Sequence, residues 1–287
     1  MINKAFVYGT LCKGESNHHV VSPFVQSTSE ATIQGWLYHL PYGYPTMIPG
    51  AGKVSGQLLE LRDVPAALAA MDWLEGYEAN CPDNEYERIV TTVVTEDGQT
   101  HDCYVYIYPD RHQNRLEPDA IFLPAGDWRA YQRGEAWEMY FAYGSCMNRD
   151  SFAVDVPVYR VLSRAVLDDY RIGFTHYSAY KWQGGVADVL PASGRQTEGV
   201  LYAIPADLLP ALDRREGVKA GIYERIMVEV KVENRMVQAW TYTVVNKQPD
   251  MAPSPAYRDT IIAGSDLLSE GYMQELTRFM ADLSCDK

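Results

Sequence analysis

The chain has 287 residues, of which 47% are apolar and 22% charged, a composition typical of folded proteins and far from that of disordered chains. A single core rarely serves more than about 100 to 200 residues, so two domains are expected. The formal net charge of −13, with no segregated Lys/Arg cluster, argues against a nucleic-acid partner.

Residues 1–10 carry neither a long apolar stretch nor a small-residue cleavage site, and no apolar run approaches the roughly 20 residues of a membrane helix. We therefore expect a cytoplasmic protein without membrane association. The five cysteines are widely spaced and include no Cys-x-x-Cys pair, which favours reduced thiols. His18 and His19, taken as strand neighbours, point to opposite faces and have no partner at ligand spacing, so neither a metal nor another cofactor is expected.

Short segments of the first half recur in the second half, in the same order and at nearly the same separation. The pairs are Phe6–Thr10 with Phe141–Ser145, Asp72–Gly76 with Asp213–Gly217, and Tyr86–Arg88 with Tyr223–Arg225. The aromatic alternation Tyr104–Tyr106, typical of a half-buried strand, also recurs, as Trp240–Tyr242. We interpret the chain as two tandem copies of one fold, residues 1–136 and 137–287, joined by a short linker.

Each copy is predicted to begin with an apolar strand that ends at Tyr-Gly. Several β-rich segments follow, then one amphipathic helix, then two more strands, which together define a mixed α+β domain. The helix is indicated by apolar residues at helical spacing, and the glycine after a conspicuous glutamate ends it. The apolar positions are Val64, Ala67, Leu68 and Met71 in the first copy and Leu208, Leu209 and Leu212 in the second.

The Tyr-Gly-Thr and Tyr-Gly-Ser segments at the ends of the first strands are candidate anion sites. A strand that stops at glycine presents consecutive backbone N–H groups, and glycine allows a ligand to approach them closely. Such a loop suits a carboxylate, which the acidic chain must otherwise repel. The alternative is an ordinary strand-to-loop turn with a hydroxyl cap, and the recurrence in both copies favours the functional reading.

Glu75 and Glu216 are the candidate acid/base groups. Each is predicted to lie in the last turn of a helix, near the negative end of the helix dipole, which raises the pKa of a carboxyl toward the range useful for proton transfer. The alternative is a solvated glutamate at a helix end. Tyr86 and Tyr223 begin strands soon afterwards, either lining the same pocket with a hydroxyl or packing as strand aromatics. Arg88 and Arg225 are interpreted as solvent-facing strand residues without a role.

These ordered motifs resemble the gamma-glutamyl cyclotransferase superfamily over nearly the whole chain, in two successive copies. The first half is more similar to the gamma-glutamylamine cyclotransferase branch, and the second half to gamma-glutamylcyclotransferase. The matching segments are Tyr8–Leu11, Lys13-Gly14, Asn17-His18 and Leu74–Tyr77 in the first half, and Tyr140–Ser145, Gly184–Ala187, Leu212–Lys219 and Pro253–Tyr257 in the second.

The resemblance implies a small closed β-barrel flanked by helices, with Glu75 and Glu216 as the catalytic glutamates. It also implies that the Tyr-Gly loop binds the α-carboxylate end of a γ-glutamyl group. The substrate-binding residues expected on this basis are Tyr8, Gly9, Thr10, Leu11, Tyr86, Tyr140, Phe141, Ala142, Tyr143, Gly144, Ser145, Tyr223 and Tyr257. Cys146 stands where family members often have Asn, which weakens the side-chain hydrogen bonding expected at the second site.

The implied reaction is attack of the substrate's own α-amine on its side-chain amide carbonyl, which gives 5-oxoproline and a free amine or amino acid. No protein nucleophile is required, in agreement with the lack of a histidine placed to activate Cys146. Two alternatives remain open: a module that binds a γ-glutamyl or amino-acid ligand without turnover, and an amide hydrolase or acyl transferase on the same scaffold. The sequence leaves the leaving group, the relative activity of the two copies and the oligomeric state undetermined.

Overall fold

The computed structural model describes residues 2–109, 111–112, 116, 120–233 and 235–285. The chain divides into two compact units, Met1–Glu135 and Ala136–Lys287. Each unit contains a closed five-stranded barrel with short helices packed around it. The predicted duplication and the predicted α+β barrel fold are therefore confirmed.

The first unit contains six strands and three α-helices in its described part. The strands are β1 (Lys4–Val7), β2 (Val25–His39), β3 (Pro45–Leu61), β4 (Glu87–Thr95), β5 (Thr100–Ile107) and β6 (Ile121–Phe122). The helices are α1 (His18–Val21), α2 (Val64–Leu74) and α3 (Trp128–Gln132). The strand order β3-β1-β5-β4-β2 closes through the β2–β3 pairing, and the short β6 adds to the edge of β2.

The second unit repeats this arrangement and adds two C-terminal helices. Its strands are β7 (Trp137–Ala142), β8 (Arg160–Ser178), β9 (Gly184–Pro205), β10 (Tyr223–Val232) and β11 (Arg235–Val244). Its helices are α4 (Arg149–Ala153), α5 (Leu209–Arg215), α6 (Pro255–Ala263) and α7 (Glu270–Cys285). The barrel order is β10-β11-β7-β9-β8.

The two barrels match strand for strand. In each, the first strand lies parallel to the last one, with Ala5 opposite Tyr104 in the first unit and Tyr140 opposite Trp240 in the second. The other strand pairings within the two barrels are antiparallel. This common register makes Ala5 and Tyr140 structural equivalents, which becomes important at the second site.

The helix that follows the third strand of each barrel is defined by local signals. Asp63 caps α2 by accepting a hydrogen bond from the Ala66 amide, 3.1 Å away, and Pro65 occupies its first turn. Gly76 and Gly217 follow the helices α2 and α5 with φ angles of 60° and 67°, in the left-handed region that favours glycine. Each helix therefore ends at its glutamate, the residue just before the glycine.

The apolar faces of the strands fill the barrels. In the first unit Phe6, Leu37 and Leu58 are almost completely buried in the core cluster. In the second unit the rings of Tyr140, Phe152 and Tyr202 stack, with centroids 4.6 to 6.4 Å apart. No helix within the described residues is long and apolar enough to span a membrane.

Candidate active site

The first unit has a cavity of about 180 Å³ where the end of β1, the loop after it, the end of α2 and the start of β4 meet. Six residues predicted for this site line the cavity: Tyr8, Gly9, Thr10, Leu11, Glu75 and Tyr86. A protein cavity of about 150 Å³ holds a molecule the size of benzene, so this one has room for the group of about nine non-hydrogen atoms that forms a γ-glutamyl moiety.

Glu75 is placed at the cavity by the end of helix α2. Its backbone N–H still donates to the Met71 carbonyl oxygen, 2.9 Å away, and Gly76 then turns the chain out of the helix. Burial raises the pKa of the Glu75 carboxyl to about 7, and the nearby charge of Glu85 adds to the increase. Within the described residues, no side chain donates a hydrogen bond to this carboxyl or forms an ion pair with it. Near neutral pH the group is therefore able both to accept and to release a proton.

The loop after β1 offers backbone donors to the same cavity. Asn17 orders the loop, since its backbone N–H donates to the Thr10 carbonyl oxygen at 2.9 Å and its side-chain amide to the Thr10 hydroxyl at 3.1 Å. Among the residues that the structure describes, no acceptor takes the backbone N–H of Thr10 or Leu11. Adjacent N–H groups without an internal acceptor can bind an anion, and both residues line the cavity, so the loop is suited to a carboxylate.

Gly9 is required at this turn by its contact with Pro45. A Cβ atom built on Gly9 would collide with Cγ of Pro45 and lie 2.8 Å from Cδ, and the proline ring cannot move aside by rotation. The pyrrolidine therefore packs against the loop backbone, and any larger residue would displace the loop from its position beside Glu75.

The tyrosines of the first site form its walls. The Tyr8 hydroxyl donates to the Tyr106 carbonyl oxygen at 2.8 Å, and the Tyr86 hydroxyl donates to the Pro45 carbonyl oxygen at 3.1 Å. Burial raises the pKa of both phenols well above the usual value, so both stay protonated. Tyr86 therefore lines the pocket with its ring, as one of the two alternatives predicted, while its hydroxyl donates to the backbone and not to the cavity.

The second unit has an equivalent but much smaller cavity of about 30 Å³, enough for about one water molecule. The predicted residues that line it are Tyr140, Tyr143, Gly144, Ser145, Glu216, Tyr223 and Tyr257. Two rings line this cavity without a counterpart in the lining of the first one. Tyr140 stands where the first barrel has Ala5, and Tyr257 comes from helix α6, which follows the last strand of the second barrel.

Phe141 and Ala142, which the sequence also indicated as substrate-binding residues, are not among the residues that line this cavity. Both are almost fully buried in β7. The Phe141 ring packs over Gly199 of β9, where an added Cβ would lie 2.6 Å from its Cε2 atom. Their side chains therefore belong to the barrel core, because β7 pairs closely with β9 at this point.

Glu216 has partners that Glu75 lacks. The Cys146 thiol donates to Oε1 of Glu216 at 3.4 Å, and Nε of Arg215 lies 3.6 Å from the same oxygen. Arg215 is only 5% exposed and also binds Asp155 at 2.6 Å, so it is held in place. Burial raises the pKa of Glu216, and the Arg215 charge works against this increase. Burial also raises the pKa of Cys146 to about 12, so its thiol remains a donor.

A repeated group of three side chains was missed by the sequence reasoning. Asp72 accepts hydrogen bonds from Arg88 and from the hydroxyl of Tyr106, which lines the first cavity. Arg88 and Arg225, taken from the sequence as solvent-facing, are in fact only 21% and 28% exposed because each is paired with the aspartate of Asp-x-x-Glu-Gly. The signal was present, since all three positions recur in both halves.

Asn17, part of a family-matching segment, was not named as a site residue but lines the first cavity, and Tyr44 and Glu85 line it without any sequence signal that marked them. Tyr44 and Glu85 come from separate loops and meet through a 2.8 Å hydrogen bond between the Tyr44 hydroxyl and the Glu85 carboxylate. Sequence spacing gives no indication of a contact between two irregular segments.

The histidine pair lies in helix α1 and not on a strand as the sequence analysis assumed. Nδ1 of His18 lies 2.9 Å from the Leu11 carbonyl oxygen, so this ring supports the loop. Within the described residues, no group of three or more His, Cys, Asp or Glu side chains could hold a metal ion. Cys12, Cys81, Cys103 and Cys146 form no disulfide.

The barrel with a glutamate at the end of its helix and a Tyr-Gly loop defines the class of fold, and sequence comparison identifies the family. Residues 5–130 match the family model described as "Gamma-glutamyl cyclotransferase, AIG2-like", and residues 196–276 match that of the "AIG2-like family". The Bacillus subtilis (strain 168) protein named "Putative gamma-glutamylcyclotransferase YkqA" is 30% identical over 292 residues, which cover 97% of each chain. The chain therefore belongs to the gamma-glutamylcyclotransferase family, as two tandem copies.

A mammalian relative and a solved bacterial structure are also similar to this chain. The mouse (Mus musculus) protein named "Gamma-glutamylcyclotransferase" is 29% identical over 155 residues, which cover 51% of this chain and 80% of the mouse protein. A crystal structure of YkqA from Bacillus subtilis has 29% sequence identity and a TM-score of 0.48, and the match covers 99% of each chain.

Proposed function

We propose that the protein is a gamma-glutamylcyclotransferase acting on a small γ-glutamyl compound, with Glu75 as the acid/base group of the first unit. The α-amine of the substrate attacks its side-chain amide carbonyl carbon and forms a C–N bond, and the bond from that carbon to the leaving nitrogen breaks. The products are 5-oxoproline and a free amine or amino acid, and no water is consumed. The single observation that carries this proposal is the unpaired, buried Glu75 carboxyl with its pKa near 7, in a cavity beside free backbone donors.

The loop after β1 would hold the substrate for ring closure. The free N–H groups of Thr10 and Leu11 suit the α-carboxylate, and Gly9 allows the ligand to approach the backbone closely. Ring closure within a bound molecule depends strongly on orientation, which contributes up to roughly 7 to 11 kcal/mol to barrier lowering in well-aligned systems. In this proposal, binding of the α-carboxylate by the loop is therefore the largest contribution to the rate acceleration.

Glu75 would move the proton. It takes a proton from the α-ammonium group, which makes the amine nucleophilic, and then protonates the leaving nitrogen. General acid/base catalysis of this kind contributes about 10² to 10⁴ in rate, or about 3 to 5 kcal/mol. A carboxyl with a pKa near 7 is suited to both steps, whereas a glutamate at its ordinary pKa of 4.5 is a poorer acid at neutral pH.

We assign Glu216 the same role in the second unit, but with much lower turnover in the conformation described. Its cavity has room for about one water molecule, so a γ-glutamyl group enters only if Tyr140 or Tyr257 moves. Arg215 and Cys146 also hold the Glu216 carboxylate, which reduces its basicity. A cytoplasmic location for the protein also remains part of this proposal.

The test is a product assay on a panel of γ-glutamyl amino acids and γ-glutamylamines. Both 5-oxoproline and glutamate are measured by chromatography for the parent protein and for the Glu75→Gln and Glu216→Gln variants. The proposal predicts 5-oxoproline from at least one substrate and its loss in Glu75→Gln. Release of glutamate instead would assign an amide hydrolase, and tight binding without any product would assign a binding module.

A further inference from the structure

The side chains of Asp72, Arg88 and Tyr106 connect the helix that carries Glu75 to strands β4 and β5. Asp72 lies one helical turn before Glu75, and its Oδ1 atom accepts the Tyr106 hydroxyl at 2.6 Å. Arg88 donates to both carboxylate oxygens of Asp72, at 2.8 and 2.6 Å. These three residues, which we term the clamp, fix the end of α2 against the barrel wall.

The clamp also reaches the loop that faces Glu75. The backbone carbonyl oxygen of Tyr106 accepts the hydroxyl of Tyr8, 2.8 Å away, and Tyr8 directly precedes Gly9. A single strand residue, Tyr106, therefore binds the glutamate helix through its side chain and the loop through its backbone. Tyr106 thus links the helix that carries the acid/base carboxyl to the loop that carries the backbone donors.

The aromatic surroundings keep the clamp rigid. The Arg88 guanidinium carbon lies 4.9 Å from the ring centroid of Tyr77 and 5.7 Å from that of Tyr104. The side chains of Arg88 and Asp72 are only 21% and 24% exposed, so water competes little for their bonds. Tyr106 is 3% exposed and its ring lines the cavity.

The second unit has the same three residue types at the clamp positions, with the Asp–Tyr hydrogen bond repeated and Arg225 held by an ion pair without a hydrogen bond to Asp213. Oδ1 of Asp213 accepts the Tyr242 hydroxyl at 2.8 Å, and Arg225 lies 3.5 Å from the other oxygen of Asp213. The Tyr242 carbonyl oxygen accepts the Tyr143 hydroxyl at 2.5 Å. The same bonds thus join the glutamate helix to the Tyr-Gly loop in both barrels, although the sequences around them have diverged.

We propose that Asp72 is a positioning residue that, through Tyr106, holds Glu75 at the working distance from the Tyr8-Gly9-Thr10 loop. This inference rests on the proposed function, since it assigns the residue a role in the same reaction. Asp72 does not line the cavity and so contacts no substrate. Its effect falls on the alignment of the proton acceptor with the substrate amine and not on the grip of the loop. A displacement of about 1 Å in such a pair lowers turnover by about 10²-fold.

The experiment compares Asp72→Asn, Tyr106→Phe and the double variant in the full chain, with Asp282→Asn, at an exposed position of α7, as the matched control whose kcat should equal that of the parent. We expect kcat to fall about 10-fold to 100-fold in each single variant while KM changes less than about threefold. The double variant should lose no more than the worse single variant, because both changes break one connection. Unchanged kcat in Asp72→Asn, or losses that multiply in the double variant, would overturn the proposal.

A second measurement needs no turnover. Glu75→Gln is made in the parent and in Asp72→Asn, and urea midpoints are compared at about pH 5 and about pH 8. If Asp72 holds Glu75 in its poorly solvated position, the stability gained by Glu75→Gln at the higher pH is smaller in the Asp72→Asn background. An equal gain in both backgrounds contradicts the positioning role. A parent protein that shows this coupling but makes no 5-oxoproline would refute the proposed function and leave the positioning role standing.

Discussion

Replacing Glu75 with Gln should stabilise the fold, and the gain should depend on pH. A buried carboxyl whose pKa rises from its ordinary value of 4.5 to about 7 binds its proton more tightly in the folded chain than in the unfolded chain. The free energy of unfolding therefore falls as pH rises from about 4.5 to about 7 and is then level. At 1.36 kcal/mol per tenfold change in proton affinity, the full effect is about 3 kcal/mol.

The assay is urea denaturation of the parent and of Glu75→Gln across this pH range, followed by tyrosine and tryptophan fluorescence. The variant should match the parent below about pH 4.5 and exceed its free energy of unfolding by up to about 3 kcal/mol above about pH 7. Glu96→Gln, at an exposed position in the β4–β5 turn, is the control. Its free energy of unfolding should follow that of the parent at every pH. Equal stability of the parent and Glu75→Gln at all pH values would refute the claim that Glu75 is held unpaired and largely shielded from solvent.

Three further predictions concern activity and the second site. The acid limb of kcat/KM should lie near pH 7, since the reaction needs the ionised Glu75 carboxylate as base, and a profile flat between about pH 5 and pH 8 would contradict this. Gly9→Ala should displace the loop past Pro45 and lower both kcat/KM and stability, the latter by about 1 to 3 kcal/mol, as read from steady-state rates and urea midpoints. Glu216→Gln should change the pH dependence of stability less than Glu75→Gln does, because Arg215 already compensates the carboxylate, and a larger change would show the ion pair to be ineffective.

The duplication and the placement of both glutamates were accessible from the sequence because they depend on local signals. A glycine with positive φ directly after an apolar helical stripe fixes where the helix ends, and this determines the position of Glu75 and Glu216. The Tyr-Gly segment likewise marks the point at which a strand stops. Because each motif occurs in both halves of the chain, chance is a poor explanation for any one of them.

The role of Arg88 was not predictable from strand alternation. Alternation separates the two faces of a strand but does not say which neighbour an exposed-looking side chain meets across a barrel. Arg88 and Asp72 are brought together only because β4 pairs with β5 and α2 packs nearby. The joint recurrence of the three clamp positions in both halves indicated that they act together, but recurrence alone does not specify a hydrogen bond.

The sequence motifs also did not predict that the two cavities differ in volume. Tyr140 was predicted to bind substrate, and its ring lines the second cavity, whereas the equivalent residue Ala5 does not line the first one. Tyr257 adds a second ring from a helix that lies outside the repeated core of the barrel. The volume of a cavity depends on side chains that come from segments far apart in the sequence. Corresponding motifs are therefore found at one open site and at one nearly filled site.

The most direct test of the account is the initial rate of 5-oxoproline formation at neutral pH by the parent, Glu75→Gln and Glu216→Gln, each with the same γ-glutamyl substrate. The account predicts a loss of about 10² to 10⁴-fold in Glu75→Gln and a rate close to that of the parent in Glu216→Gln. A parent-like rate in Glu75→Gln, with the loss in Glu216→Gln instead, would contradict the assignment of the open first site as the working one.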